Sequence, residues 1–131
     1  MAETKRVERP LSPFMLGQYY RVQMTSMSSI VTRITGNALI ASFFLGAWWL
    51  LAAVTSKEYF DFVNWIATSW IGWLIWIGSA WAIWYHYLAG LRHLLWDAGK
   101  GLEIGIAEKL GWACVIGSVV LTALTIVFVM V

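Results

Sequence analysis

Charge is what this sequence has least of. Only 12% of its 131 residues are Asp, Glu, Lys or Arg, about half the share of an ordinary soluble domain. Hydrophobic residues make up 60% and the mean hydropathy is +0.70. Such a chain is too poor in charge to cover a water-facing surface, and it reads as an integral membrane protein of one domain. Cysteine occurs once, at Cys114, which excludes a disulfide framework and a multi-cysteine metal site. Lying in an apolar run, Cys114 reads as a small buried hydrophobe. Proline occurs twice, at Pro10 and Pro13, and two so close together oppose a continuous helix there. The net charge of +2 is too small to suggest nucleic acid as a partner. The first ~30 residues lack the short apolar core of a signal peptide, so insertion is expected to rest on the spans themselves.

What is present is long apolar runs separated by short polar ones. Residues 1–28 read as a basic N-terminal segment, extended around its prolines, with Tyr19 and Tyr20 suited to a membrane interface. Hydroxyls from Thr25 to Ser29 offer helix N-caps. A first span is expected over residues 29–54; its apolar core, Ile34 to Val54, would cover ~31 Å, close to the hydrocarbon thickness of a bilayer. A short turn follows, from Thr55 to Asp61. The second span is expected over residues 64–95, longer than a bilayer needs, so part of it tilts or projects. Asp97 to Lys109 is a polar connector, and the third span covers residues 110–131. Its Gly111, Ser118, Thr122 and Thr125 form a packing stripe.

Lys and Arg counts beside the spans set the orientation. The N-terminal side carries Lys5, Arg6, Arg9, Arg21 and Arg33, and the second loop, on the same side, adds Arg92, Lys100 and Lys109. The opposite loop has only Lys57. The expected fold is therefore an all-α membrane protein of three transmembrane helices, with the N-terminus cytoplasmic and the C-terminus on the outer side. Arg33 then meets the end of the second span at the inner side.

Both histidines of the chain, His86 and His93, lie seven residues apart near that end. Ionisable groups inside a membrane are costly and mark functional sites. In helical projection Thr68, Gly72, Ser79, His86, Gly90, His93 and Asp97 share one stripe. Trp70, Trp73, Trp76, Trp81 and Trp84 form an indole wall opposite, suited to lipid. A histidine so placed can ligate a metal or haem, relay protons, or pack through hydrogen bonds. Gly90 removes bulk one turn past His86, and Arg33, Arg92 and His93 supply cations where haem propionates would end; these favour haem. The two histidines are ~10.5 Å apart along the helix, too far to bind opposite faces of one iron. His86 lies deeper and is the expected axial ligand; His93 belongs to the interface, as a propionate or polar-network residue. A six-coordinate haem would need its second ligand from another polypeptide. Ser29 and Arg33, one turn apart, could donate to the carbonyl of a head group such as a quinone, or Arg33 could simply snorkel. Asp97 could hold the guanidinium or pass protons.

Three motifs carry a resemblance. Arg9-Pro10-Leu-Ser12-Pro13, Ser29-Ile-Val-Thr-Arg33-Ile-Thr35-Gly36 and His86-x-x-x-Gly90-x-Arg92-His93-Leu-x-x-Asp97 appear in the order found in the cytochrome b membrane-anchor subunits of succinate dehydrogenase (succinate:quinone oxidoreductase, respiratory complex II), and the chain resembles that family over its whole length. The resemblance implies haem b shared with a second membrane-anchor subunit, with His86 as axial ligand to its iron. It implies a ubiquinone site lined by Ser29 and Arg33, with Arg33 also near a haem propionate. It implies iron–sulfur and flavoprotein subunits as partners, in the bacterial cytoplasmic membrane. Succinate would be oxidised on the flavoprotein, so this chain would carry electrons to quinone and bear no catalytic residue for succinate. Thr32 and Phe14 stand where the family often has histidine. Other readings are a haem-free anchor, the anchor of a quinol:fumarate reductase, and a proton relay through His86 and Asp97. The relay lacks carboxylates along the remaining depth of the second span.

Overall fold

The computed structural model describes residues 20–131; the expectations for the segment around Pro10, Pro13 and Phe14 lie outside the described residues. Four helices follow in order: α1 (Met24–Thr55), α2 (Lys57–Ala67), α3 (Trp70–Asp97) and α4 (Ile104–Met130), and no β-strand forms among the described residues. The protein is all-α. α1 and α4 are long and apolar enough to cross a membrane, and α2 with α3 passes the same test as a pair bent by 73°.

α1 starts before the expected Ser29. Gln23 is its N-cap, and the Ser26 hydroxyl reaches back, accepting from the Gln23 N–H at 3.4 Å and donating to the Gln23 carbonyl at 2.9 Å. At the other end, extended Ser56 separates α1 from α2, its hydroxyl accepting from the Tyr59 N–H at 3.2 Å. Two indoles near the end of α1 then hold α2: Trp48 Nε1 donates to Tyr59 Oη at 2.7 Å and Trp49 Nε1 to Asn64 Oδ1 at 3.2 Å. In the exposed first turns of α2, Lys57 and Asp61 pair at 2.7 Å.

The expected continuous second span over residues 64–95 does not form; the chain bends at Thr68–Ser69. The cause is local. The Ser69 hydroxyl accepts from the Gly72 N–H at 3.2 Å and so caps a new helix. Hydroxyl side chains compete with the helix backbone in this way. Gly72 lies directly on the Ala67 carbonyl, where no Cβ fits. The expected turn from Thr55 to Asp61 is correspondingly helical from Lys57 onward. Between α3 and α4, Gly99 and Gly101 adopt positive φ (71° and 72°), a region glycine enters without steric cost. Trp96 Nε1 closes the turn onto the Gly101 carbonyl at 3.0 Å. α4 then begins at Ile104, ahead of the expected residue 110.

α3 is central, packing on both α1 and α4. Apart from Tyr85 and Arg92 the contact is made by small residues, as expected where helices associate without a hydrophobic driving force. Ala82, Tyr85, Ala89 and Arg92 are the buried stripe of α3 beyond Gly72, and Ala107, Gly111, Cys114, Ser118 and Thr122 that of α4. Large apolar side chains instead face outward: Phe43, Phe44 and Phe128 are 70%, 65% and 85% exposed. A surface of that kind suits lipid or further membrane helices.

The indole wall is split. Trp70, Trp73 and Trp76 are exposed, but Trp81 packs against Tyr85, and Trp84 donates to Thr125 Oγ1 of α4 at 2.9 Å. Steps of about 100° carry Trp84 to the flank of α3 that meets α4, away from lipid.

Candidate functional site

Three angular sectors of α3 define the site. With Tyr85 as origin and about 100° per residue, the buried stripe points into the bundle. Trp84 and Leu88 turn to α4, and His86 turns to α1 on the side away from α4. α1 projects the same way. Ser28, Thr32 and Thr35 point inward, Val31 turns towards the cluster around Cys114, and Ser29, Arg33 and Gly36 lie on the flank away from α4. The flank of α3 carrying His86 and that of α1 carrying Gly36 therefore border one open face.

His86 sits at the base of this face, partly buried. Its Nδ1 is 3.1 Å from the Thr32 carbonyl oxygen and 3.4 Å from Thr35 Oγ1. The carbonyl can only accept, and the single proton of the Thr35 hydroxyl is taken up by the carbonyls of Val31 (2.9 Å) and Thr32 (3.0 Å), which compete for it. Nδ1 must then carry the proton, which leaves the lone pair on Nε2. Nε2 has no hydrogen bond among the described residues. An imidazole fixed by a main-chain carbonyl through one nitrogen and bare at the other is the arrangement of a metal-ligating histidine. Gly36 makes room for it: a Cβ there would lie 3.0 Å from His86 Cε1.

Ser29 and Arg33 are exposed on the same side, with no hydrogen bond or ion pair among the described residues. They offer a hydroxyl and a guanidinium to whatever occupies the open face. Gly90, also exposed, has nothing within 4 Å of where a Cβ would lie, so a flat group meets no side chain there.

The polar network forms differently from expectation. Asp97 makes no ion pair with Arg33 among the described residues; its Oδ1 lies 3.9 Å from His93 Nε2, both side chains being more than 60% exposed. The first turn of α1 leans on α4, with Met24 against Gly111, and this leaves His93 uncovered, edge-on to Trp96. Arg92 points into the bundle and not to its surface. It is 5% exposed, its Nη1 donating to Ser28 Oγ at 3.0 Å and its guanidinium lying 4.7 Å from the Trp96 ring centroid. Sequence reasoning missed this inward arginine and the Thr32 carbonyl. The signal for the first was available: Tyr85, Ala89 and Arg92 follow the i, i+4, i+7 spacing of one helical face.

Fold and site together define a helical membrane protein that presents, on one face, an imidazole with its Nε2 unbonded and a hydroxyl–guanidinium pair unbonded among the described residues. Over residues 5–125 the chain matches the family model described as succinate dehydrogenase/fumarate reductase transmembrane subunit, and it belongs to that family. It is 52% identical to the succinate dehydrogenase cytochrome b556 subunit of Paracoccus denitrificans, over 97% of this chain and 96% of that protein. It is 35% identical to the protein of the same name in Rickettsia felis, over 95% and 98%. The cytochrome b560 subunit of Reclinomonas americana is 38% identical over 75% of this chain and 70% of its own length.

Proposed function

We propose that the chain is the cytochrome b membrane anchor of a succinate dehydrogenase, carrying electrons from an iron–sulfur subunit to quinone. The relatives' names and the family match support the complex; the bare Nε2 of His86 supports the cofactor. The reading includes three membrane spans, with α2–α3 as a broken one, a cytoplasmic N-terminus and the C-terminus on the outer side of a bacterial cytoplasmic membrane. Lys and Arg gathered at the end where α1 begins and α3 closes support that orientation.

His86 would hold haem b through Nε2 as one axial ligand, and a second membrane-anchor subunit covering the open face would supply the other. The residues present fit such a group: a ligand of fixed tautomer, glycines at 36 and 90, and small neighbours. Bound there, haem b supplies a one-electron carrier within the membrane. Thr32 and Thr35 hold the ligand's ring, and Gly36 sets how closely α1 approaches it. Arg33 and Ser29 donate to the carbonyl oxygen of the quinone, orienting it and stabilising the negative charge it gains on reduction. Arg33, His93 and Asp97 would be the polar groups available to the haem propionates. Succinate oxidation falls to the flavoprotein partner.

The observation that carries this reading is the His86 Nδ1 contact with the Thr32 carbonyl. Its test is the reduced-minus-oxidised spectrum of the purified complex. A low-spin b-type signal is expected and should be lost or reshaped in His86→Ala; an unchanged spectrum would remove His86 as ligand.

A further inference from the structure

Arg92 is a buried cation with no carboxylate within ion-pair distance among the described residues, and its Nε has no hydrogen-bond partner. Burial of that kind is expensive, so what the side chain holds in return is informative. Its one hydrogen bond runs to Ser28 Oγ on α1, at 3.0 Å. Gly111 of α4 makes the space: a Cβ there would lie 3.5 Å from Arg92 Nη1. Two turns deeper on the same face of α3, Tyr85 Oη donates to the Ser28 main-chain carbonyl at 3.3 Å. Ser28 is 2% exposed, and its hydroxyl donates to the Thr25 carbonyl at 3.0 Å while accepting from Arg92. α3 thus grips both the side chain and the backbone of one α1 residue.

The grip fixes rotation. Ser29 is the next residue and Arg33 lies one turn further along, about 100° and 140° around the helix from Ser28. Turning α1 moves both, and it also moves the Thr32 carbonyl that holds His86. We infer that Arg92 and Tyr85 are positioning residues that clamp Ser28, setting the rotation of α1 so that Ser29 and Arg33 face the quinone while the Thr32 carbonyl meets His86. This inference rests on the quinone reading of Ser29 and Arg33 given above.

The test uses the assembled complex, with quinone reduction normalised to succinate oxidation by an artificial acceptor. Ser28→Ala and Arg92→Gln should each raise the apparent KM for quinone by about three- to tenfold, part of the free energy of the lost hydrogen bond, since the quinone contacts respond only through the rotation of α1. Acting through each other, they should be non-additive: the double variant should match the worse single one. Tyr85→Phe should show a smaller rise. Should Arg92→Gln fail to assemble, Ser28→Ala and Tyr85→Phe still decide the matter: each removes a single oxygen, and Tyr85→Phe leaves the Arg92–Ser28 hydrogen bond in place. A second readout is independent of quinone. With Ser29→Cys in place, the rate of maleimide labelling should change at least about threefold when Tyr85→Phe or Arg92→Gln is added, a rotational effect. Additive effects of the pair, or wild-type KM and labelling in Ser28→Ala and Tyr85→Phe, would overturn the clamp. If Arg33→Ala leaves the quinone KM unchanged, the quinone reading falls instead, and the labelling rates alone decide the clamp.

Discussion

His86 and Gly36 touch across the α1–α3 interface: a Cβ added at Gly36 would lie 3.0 Å from Cε1 of the imidazole, whose Nδ1 is 3.1 Å from the Thr32 carbonyl. A methyl group there forces the ring or the helices to yield by a few tenths of an ångström, and overpacking of this kind costs about 1–3 kcal/mol. Gly36→Ala should therefore retain the cofactor at reduced occupancy with a shifted α-band, and Gly36→Val should lose it. Spectra of the purified complexes, scaled to protein, check this; wild-type spectra from both would separate Gly36 from the ligand's seat.

Much of the fold was legible in the sequence because hydropathy alone marks long helices. The long helices α1, α3 and α4 follow the apolar runs, and the small residues Gly111, Ser118 and Thr122 pack as their spacing requires. The break at Thr68–Ser69 was hidden. Trp65, Ile66, Trp70 and Ile71 continue the apolar run across it, while the bend depends on one serine hydroxyl choosing the Gly72 N–H. That His86 shares a flank of α3 with Ser79, Gly90 and His93 was legible from helical spacing. The tautomer of His86 was not, since a main-chain carbonyl from another helix sets it and main-chain atoms leave no mark in a side-chain pattern. Arg92 was misplaced for a related reason: its neighbours at the helix end suggested an interfacial cation, whereas Gly111 and Ser28, far off in sequence, open a slot for it inside.

The two histidines should part company on substitution. Among the described residues the His93 side chain, 71% exposed, pairs only with Asp97, at 3.9 Å, and with the Trp96 ring in a T-shaped contact, whereas His86 is held against α1. His93→Gln should keep the low-spin b-type spectrum, with at most a modest shift in reduction potential. His86→Gln should lose that spectrum. A potentiometric titration of both variants makes the comparison, and equal loss in the two would show that the imidazoles act as a pair.

Trp84 tests the packing on the other flank of α3. Its indole N–H donates to Thr125 Oγ1 at 2.9 Å, and hydrogen bonds between membrane helices contribute about 0.6 kcal/mol on average. Trp84→Phe and Thr125→Val should each lower the thermal midpoint of the complex slightly, and the double variant should equal the larger single effect. Full additivity in a double-mutant cycle would mean that the bond contributes nothing to α3–α4 association. Neither change touches the His86 flank, so the haem spectrum should stay at wild type.

Gly72 and Gly78 belong to the same helix but should respond oppositely to alanine. Gly72 rests on the Ala67 carbonyl, so a methyl group must push the two arms of the α2–α3 bend apart, at about 1–3 kcal/mol. Gly78 has nothing within 4 Å of where its Cβ would lie. Alanine there removes only the conformational freedom of glycine and should stabilise by about 0.4–1 kcal/mol. Thermal unfolding of the purified complex should thus show a lower midpoint for Gly72→Ala and an equal or higher one for Gly78→Ala. Ser69→Ala, which deletes the cap but leaves the close packing, should fall between wild type and Gly72→Ala, by about 1 kcal/mol. If Gly72→Ala is as stable as Gly78→Ala, the bend does not depend on that contact and the capping hydroxyl alone must hold it.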